Sequence, residues 1–521
     1  KFLEALMKIG FLTCYPNSIK DYNFHECIAR SYLKNTIRKS NYYDIYIGVF
    51  RKIADEMDTK KNPALKFLYC MLCNDIDRAK ELFDYVAVNA NFLNLYKEMM
   101  FLFDANICDE TFYYREIGIL CDRCGRLKEA VHFYSLYLDT EKSADALYKL
   151  VQINHKIIDN YPAITSAAMQ SSDLYLFSLS NYWKIHINMH RGIFEFEKIY
   201  RLAYDIQHKS EEINRRHPYD GLHLIKRLYF DVFRLYYLEG IFDPEKLKPF
   251  CDYGSRLYHI LQDSLQEFDA YYIKFAIGLM LGQDVLFSLA FESKVLNLEQ
   301  YDFLFHEMLD LEPTQTCDKK AIAMETIRIY SKSIDLFEKM GDKTSIFVKY
   351  HMYNIKLILA ADEGNFSECE SFCDEYRTFA FREEIPEYQA YAETFKLKMT
   401  LIQLCCPAII GSYGTDQYDE LKNIVRQKLG LIQEHEKAAT SGAGNQYASI
   451  RLALYAALFY LYINEFSKEK FREEILGIKD TAQKNHYNRE LKIISYIERY
   501  NFNLSPENIQ VIFTFYPIVP Q

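Results

Sequence analysis

Three clusters in this sequence hold side chains that could do chemistry. Cys121 and Cys124 form a CxxC pair inside YREIGILCDRCGRLKEAVHFYSLY, residues 114–137. Two thiols at that spacing supply half of a zinc site or a redox pair. Zinc wants about four ligands and no second pair is near, while a redox CxxC belongs in a βαβ setting that this stretch lacks. His186 and His190 in HINMH fall at i and i+4 on one helix face. Two imidazoles so placed would suit a transition metal if a third ligand came from elsewhere. The third cluster, INRRHPYDGLHLIKRLYFDVFRLYY (213–237), mixes Arg215, Arg216, Lys226, Arg227 and Arg234 with Tyr219, Tyr229, Phe230, Phe233, Tyr236 and Tyr237. Arginine among aromatics is the composition of a binding hot spot, and a basic cluster can also meet phosphate.

Other catalytic signatures are missing. The chain has no GxxxxGK[ST] phosphate loop, no HExxH, no GxSxG elbow and no kinase loop set. GSYGTD (411–416) has glycines, but not between a strand and a helix. The expectation is a non-catalytic chain with no cofactor and no resident metal. The cysteines then pack a core or precede a turn, and the two histidines face a groove or solvent.

The elements that carry these residues follow from composition and spacing. The chain has 521 residues, half of them apolar, with 44 Tyr, 37 Phe and a single Trp, Trp183. Its 18 Gly and 12 Pro are too few for many strands joined by tight turns. Helices joined by short loops fit better. A net charge of −10 argues against a general nucleic-acid or membrane-surface binder. Thirteen scattered cysteines point to reduced thiols in a cytoplasmic protein rather than a disulfide framework. The longest apolar runs, 275–291 and 452–463, are too interrupted or too short for a span of about 20 residues. No signal peptide is visible, and a start at Lys1 without Met reads as part of a longer chain.

Take Gly125 as a turn. Before it, Tyr114, Ile117, Gly118 and Cys121 share one helix face; after it, Leu127, Ala130, Tyr134 and Tyr137 recur about once per turn. The small Gly118 and Ala130 would let two helices approach closely. A large residue, an apolar-Gly pair, a turn Gly, an Ala and an aromatic in this order resemble a tetratricopeptide repeat, with Cys121 where the pattern has Tyr. The same grammar places turns at Asn41, Asn74, Gly192, Gly364 and Asn464. Asn tolerates the left-handed conformation nearly as Gly does.

The resemblance implies an all-α fold: a superhelical array of antiparallel helix pairs, a TPR-like α-solenoid running continuously through 1–521. Ser505 and Pro506 announce a short helix near 506–515 that caps the array. Such an array implies a protein-binding scaffold or sensor, with first helices lining a concave face. Arg115, Lys184, Asn188, Asn354 and Lys356 are the candidate exposed residues there, joined by Arg215, Arg216, Lys226, Arg227, Arg234 and Tyr237 of the basic-aromatic stretch. Large bacterial signalling ATPases of the STAND class, including defence proteins that sense viral proteins, end in comparable arrays, which is a likeness of architecture alone. On that reading the partner is a protein, a viral one included, with no membrane involved and oligomerisation through a region ahead of Lys1. Two other readings stay open: a nucleic-acid or nucleotide sensor using 213–237, and an enzyme with a metal at His186 and His190.

Overall fold

The computed structural model describes residues 12–14, 22–24, 43–59, 61–89, 91–104, 108–153, 155–190, 196–216, 220–221, 224–225, 227–228, 231, 252, 286–287, 290–291, 319–406, 414–439 and 446–516. The fold is helical. Among the described residues the one strand pairing is an antiparallel ladder of Leu12–Cys14 (β1) with Tyr22–Phe24 (β2), in which Leu12 faces Phe24 and Cys14 faces Tyr22. Thr13, Tyr22 and Phe24 are residue types that favour a pleated surface, which explains a strand pair in an otherwise helical chain. The turns expected at Asn41 and Gly192 lie outside the described residues.

The chain divides into two compact units: 1–142 with 339–342, and 143–338 with 343–521. Nothing in the composition marks a boundary at 142, where Lys142 closes its helix in the left-handed conformation.

Unit 1 contains α1 (Tyr43–Glu56), α2 (Pro63–Leu72), α3 (Ile76–Asn89), α4 (Phe92–Asp104), α5 (Tyr114–Arg123) and α6 (Leu127–Glu141). α1 packs on α2, α2 on α3, α4 on α5 and α5 on α6, and next-but-one neighbours touch as well, α2 with α4 and α3 with α5. The turns are made locally. Asn74 (φ 56) and Gly125 (φ 72) are left-handed. After each, the next amide donates back five residues, Asp75 to Cys70 at 2.9 Å and Arg126 to Cys121 at 2.8 Å. These bonds satisfy carbonyls that the helix end would otherwise leave open. Between α5 and α6 the backbones approach so closely that a Cβ on Gly118 would lie 2.5 Å from Tyr134 Cδ1 and Cε1. Cys121 is buried in this contact and Cys124 forms the C-cap of α5. Burial pushes the Cys121 thiol up, which keeps it a packing residue. Within the same unit Arg123 pairs with buried Asp342 at 2.9 Å.

Unit 2 opens with α7 (Ala144–Ile153), α8 (Pro162–Met169), α9 (Leu174–His190), α10 (Phe196–His208) and α11 (Ser210–Arg216). It continues, after α12 (Lys319–Met340), with α13 (Thr344–Glu363), α14 (Ser367–Glu383), α15 (Pro386–Cys405) and α16 (Thr415–Ala439). The last elements are α17 (Gln446–Tyr462), α18 (Lys468–Lys484), α19 (Asn488–Arg499) and α20 (Pro506–Phe515). From α13 to α19 each helix packs on the next, and α13 also touches α15. Gly364 (φ 71) ends α13 and Asn464 (φ 59) follows α17, both left-handed turns at the positions the sequence indicates. α20 starts as Ser505 and Pro506 require: the Ser505 hydroxyl accepts from the Asn508 amide, and the Asn508 side chain reaches back to the Ser505 amide. Its packing differs from that of an end cap. α20 lies chiefly on α15, and also on α13 and α17. Among the described residues, no helix is long and apolar enough to cross a membrane.

Candidate protein-binding surface

The sequence candidates scatter over the two units. Arg115 of α5 is half-buried and spans two helices, with Nη2 2.9 Å from Asp84 on α3 and Nη1 3.1 Å from Glu116. It is a packing residue. Lys184 is exposed on α9 and Asn188 is half-buried one turn further. Asn354 corrects the expectation of exposure: it is buried and its amide donates to the Tyr350 carbonyl at 2.9 Å. Four residues earlier in the same helix, that carbonyl offers a local partner to an amide that reaches no water. Lys356 is half-buried, 2.5 Å from Glu368 on α14 and over the Tyr353 ring at 4.7 Å.

The basic-aromatic stretch is described only in part; Lys226, Arg234 and Tyr237 lie outside the described residues. Arg215 and Arg216 are exposed, and Arg216 pairs with Glu212 one turn back at 2.7 Å. Arg227 is half-buried between the fully buried Ile225 and Leu228. The acids of the stretch serve the interior: Asp220 pairs with buried Lys149, and Asp231 lies 3.0 Å from His186 Nδ1. The Tyr182 hydroxyl sits 3.2 Å from the same nitrogen. The side chain of His190 lies outside the described residues, among which no three His, Cys, Asp or Glu groups gather to hold a metal ion.

A different surface emerges from the α13–α15 hairpins. Phe347 of α13 lies 5.2 Å from Tyr388 of α15, which is 6.1 Å from both Phe379 of α14 and Tyr391. All four rings are half-buried; Phe381, two residues after Phe379 on α14, is exposed. A guanidinium lies over each of these two α14 rings. Arg377 stacks over Phe381 at 5.6 Å while its Nε holds buried Glu393 at 2.9 Å. Arg382 lies over Phe379 at 5.6 Å and bonds Glu383 at 2.5 Å. Glu393 also takes buried Lys428 from α16. Each arginine is therefore tied to a carboxylate within the fold. Beneath the patch, Tyr353 and Phe372 stack 4.4 Å apart at 2°. Burial pushes the Cys369 thiol up to about 12 and that of Cys373 to about 11, so both are inert filler.

The sequence carries a signal for this patch in EYRTFAFRE, residues 375–383. Residues two apart on a helix cannot both face one core, so Phe379 and Phe381 must diverge. Repeat turns alone draw attention away from it.

The chain matches no protein-family model, no curated protein and no solved structure.

Proposed function

We propose that the chain is a non-catalytic protein-binding scaffold: a TPR-like α-solenoid that presents side chains to a protein partner. Support for the array comes from helix pairs closed by left-handed turns and from contacts of both neighbouring and next-but-one helices. Each pair covers part of its apolar surface with the next, and the surface left over is broad and stiff. The observation that carries the binding role is the pairing of aromatic and arginine on α14: exposed Phe381 under Arg377, and Phe379 under Arg382 next to Tyr388, which also meets Phe347. Aromatic and arginine side chains supply most of the energy at protein interfaces. A role as the sensing array of a STAND-type signalling ATPase, with a viral protein as ligand, rests on likeness of architecture alone.

Cross-linked capture with the full chain as bait tests the reading. Cross-links of a captured protein are expected to fall on α13–α15. Phe381→Asp, at an exposed position, is expected to reduce that capture at least tenfold with an unchanged circular dichroism spectrum. Capture indifferent to Phe381→Asp overturns the assignment. Nuclease-sensitive capture that weakens steeply with salt would instead favour a nucleic-acid sensor.

A further inference from the structure

The C-terminal helix α20 occupies an unusual place. It lies on α15, α13 and α17, which are the first helices of three successive pairs. On the array reading, which this inference rests on, first helices line the face that receives a partner. Those helices are buried on more than one side. In α15 nearly every residue from Ala390 to Cys405 is buried, and α17 carries QYASIRLALYAALFYLY without a polar stripe. A helix apolar all round needs cover all round. α20 supplies that cover.

The contacting side chains of α20 have a definite pattern. Ile509, Ile512 and Phe513 of α20 are buried, as is Tyr516 at its C-cap, while Pro506 and Glu507 are exposed. Their spacing is i, i+3, i+4 and i+7, the anchor pattern of an amphipathic helix held in a groove. The hold ends in a polar latch. The Tyr516 hydroxyl donates to buried Glu490 at 2.7 Å, Glu490 also takes Arg451 Nε at 2.8 Å, and the Tyr455 hydroxyl donates to the Tyr516 carbonyl. A six-residue connection, 500–505, with Asn501 and Phe502 both left-handed, separates α20 from α19. At ten residues α20 is too short to stay helical in water without its groove.

We propose that the face of α13, α15 and α17 is a helix-binding groove, that α20 is its intramolecular occupant, and that the external partner is a protein segment forming an amphipathic helix with bulky apolar residues at i, i+3, i+4 and i+7. The partner displaces α20 and takes over its four anchor positions. An aromatic at the last position, with a hydroxyl to donate to Glu490, binds more tightly than phenylalanine there.

The test uses the full chain and a fluorescein-labelled synthetic peptide of residues 504–517 as probe. Peptide affinity is compared between wild type and the double variant Ile512→Ala, Tyr516→Phe, which weakens the internal occupant. The expected result is at least tenfold tighter binding to the variant and no binding of a peptide of scrambled order. Hydrogen exchange read on the same samples is expected to quicken in α13, α15 and α17 and to slow again when peptide is added. Three results overturn the proposal. One is loosening of α14 and α18 together with the groove helices, which would make α20 an ordinary core helix. The second is a loosened groove that the peptide leaves unprotected. The third is a concentration-dependent dimer that exchanges α20 between copies, which would make self-association the groove's use. Phe381→Asp leaves this exchange untouched, so failure of the aromatic patch and failure of the groove are read separately.

Discussion

The α5–α6 hairpin of unit 1 and helix α15 of unit 2 meet the same requirement, burial of apolar surface, by opposite routes. The hairpin is closed by its own sequence neighbours: Gly118 admits Tyr134, and Gly125 makes the turn. Some of its polar side chains pair across short spans, as Arg126 with Glu129 three residues on, while Arg115 reaches Asp84 and Arg123 reaches Asp342 of the same unit. α15 is covered by its chain neighbours α14 and α16, by α13, and by α20, which returns from far along the chain. Charges are sealed in as a result. Glu393 lies inside with Lys428 as its partner, and Lys398 is 4 % exposed with no ion-pair or hydrogen-bond partner among the described residues. Both regions bury charge, but differently: in the hairpin Arg123 keeps Asp342 as its partner, whereas in α15 Lys398 is buried without one among the described residues. The energetic stakes are highest at the unpaired group.

That contrast can be broken most forcefully at the buried Arg451–Glu490 pair. Glu490→Ala leaves Arg451 and the Tyr516 hydroxyl inside without their shared carboxylate, and is expected to cost about 3–5 kcal/mol. Guanidinium unfolding followed by peptide-resolved hydrogen exchange should show loss in α17, α19 and α20, with α5 and α6 unchanged. Equal loosening of α5 and α6 would erase the distinction.

Lys398→Met is expected to act in the opposite direction. Burial alone pushes the Lys398 ammonium down to about 7 from 10.5. Between those values the unfolded chain holds a proton that the folded chain has released, so stability of the native protein rises with pH from 7 to 10.5. Below the folded value the full penalty remains. Methionine removes it, with a gain on the order of 3–5 kcal/mol at pH 7 that shrinks to nothing as pH approaches that of free lysine. Denaturant titrations of both proteins at several pH values decide this. A gain independent of pH would show that Lys398 does not carry the penalty.

Glycines sharpen the comparison at smaller scale. Gly118→Ala pushes a methyl against the Tyr134 ring and is expected to cost about 1–3 kcal/mol despite alanine's better helix propensity. Gly430 of α16 has open space where its Cβ would be, so Gly430→Ala should stabilise by up to about 1 kcal/mol. Thermal unfolding of the two variants should move in opposite directions. The smallest effect belongs to Lys320→Ala. Lys320 and Glu363 pair at 3.2 Å with both side chains about half exposed, and loss of such a pair changes stability by less than about 0.5 kcal/mol. A larger change in the same unfolding assay would mean that surface pairs in unit 2 carry weight the comparison denies them.

How far residues could be read without coordinates depended on the range of the forces acting on them. The turns at Asn74, Gly125, Gly364 and Asn464 were legible because a left-handed residue and a few backbone bonds suffice to make each one. Ser505 and Pro506 started α20 for the same local reason. The candidate surface was far less legible. Asn354 and Arg115 look like solvent-facing residues on a helical wheel, yet each is used inside the fold or between helices. Phe347 and Tyr388 carry no repeat signature, and they meet only when α13 and α15 lie side by side.

Helix formation, helix ends and the close Gly118–Tyr134 contact were settled by the sequence itself, because steric and hydrogen-bonding terms within a few turns of chain decide them. Which faces are covered was decided only in three dimensions. Burial of Lys398, the latch at Tyr516 and the place of α20 over α13, α15 and α17 all depend on residues distant in the chain meeting one another. Apolar attraction is proportional to area and carries no direction, so the pattern of one helix states that it must be covered but not by what.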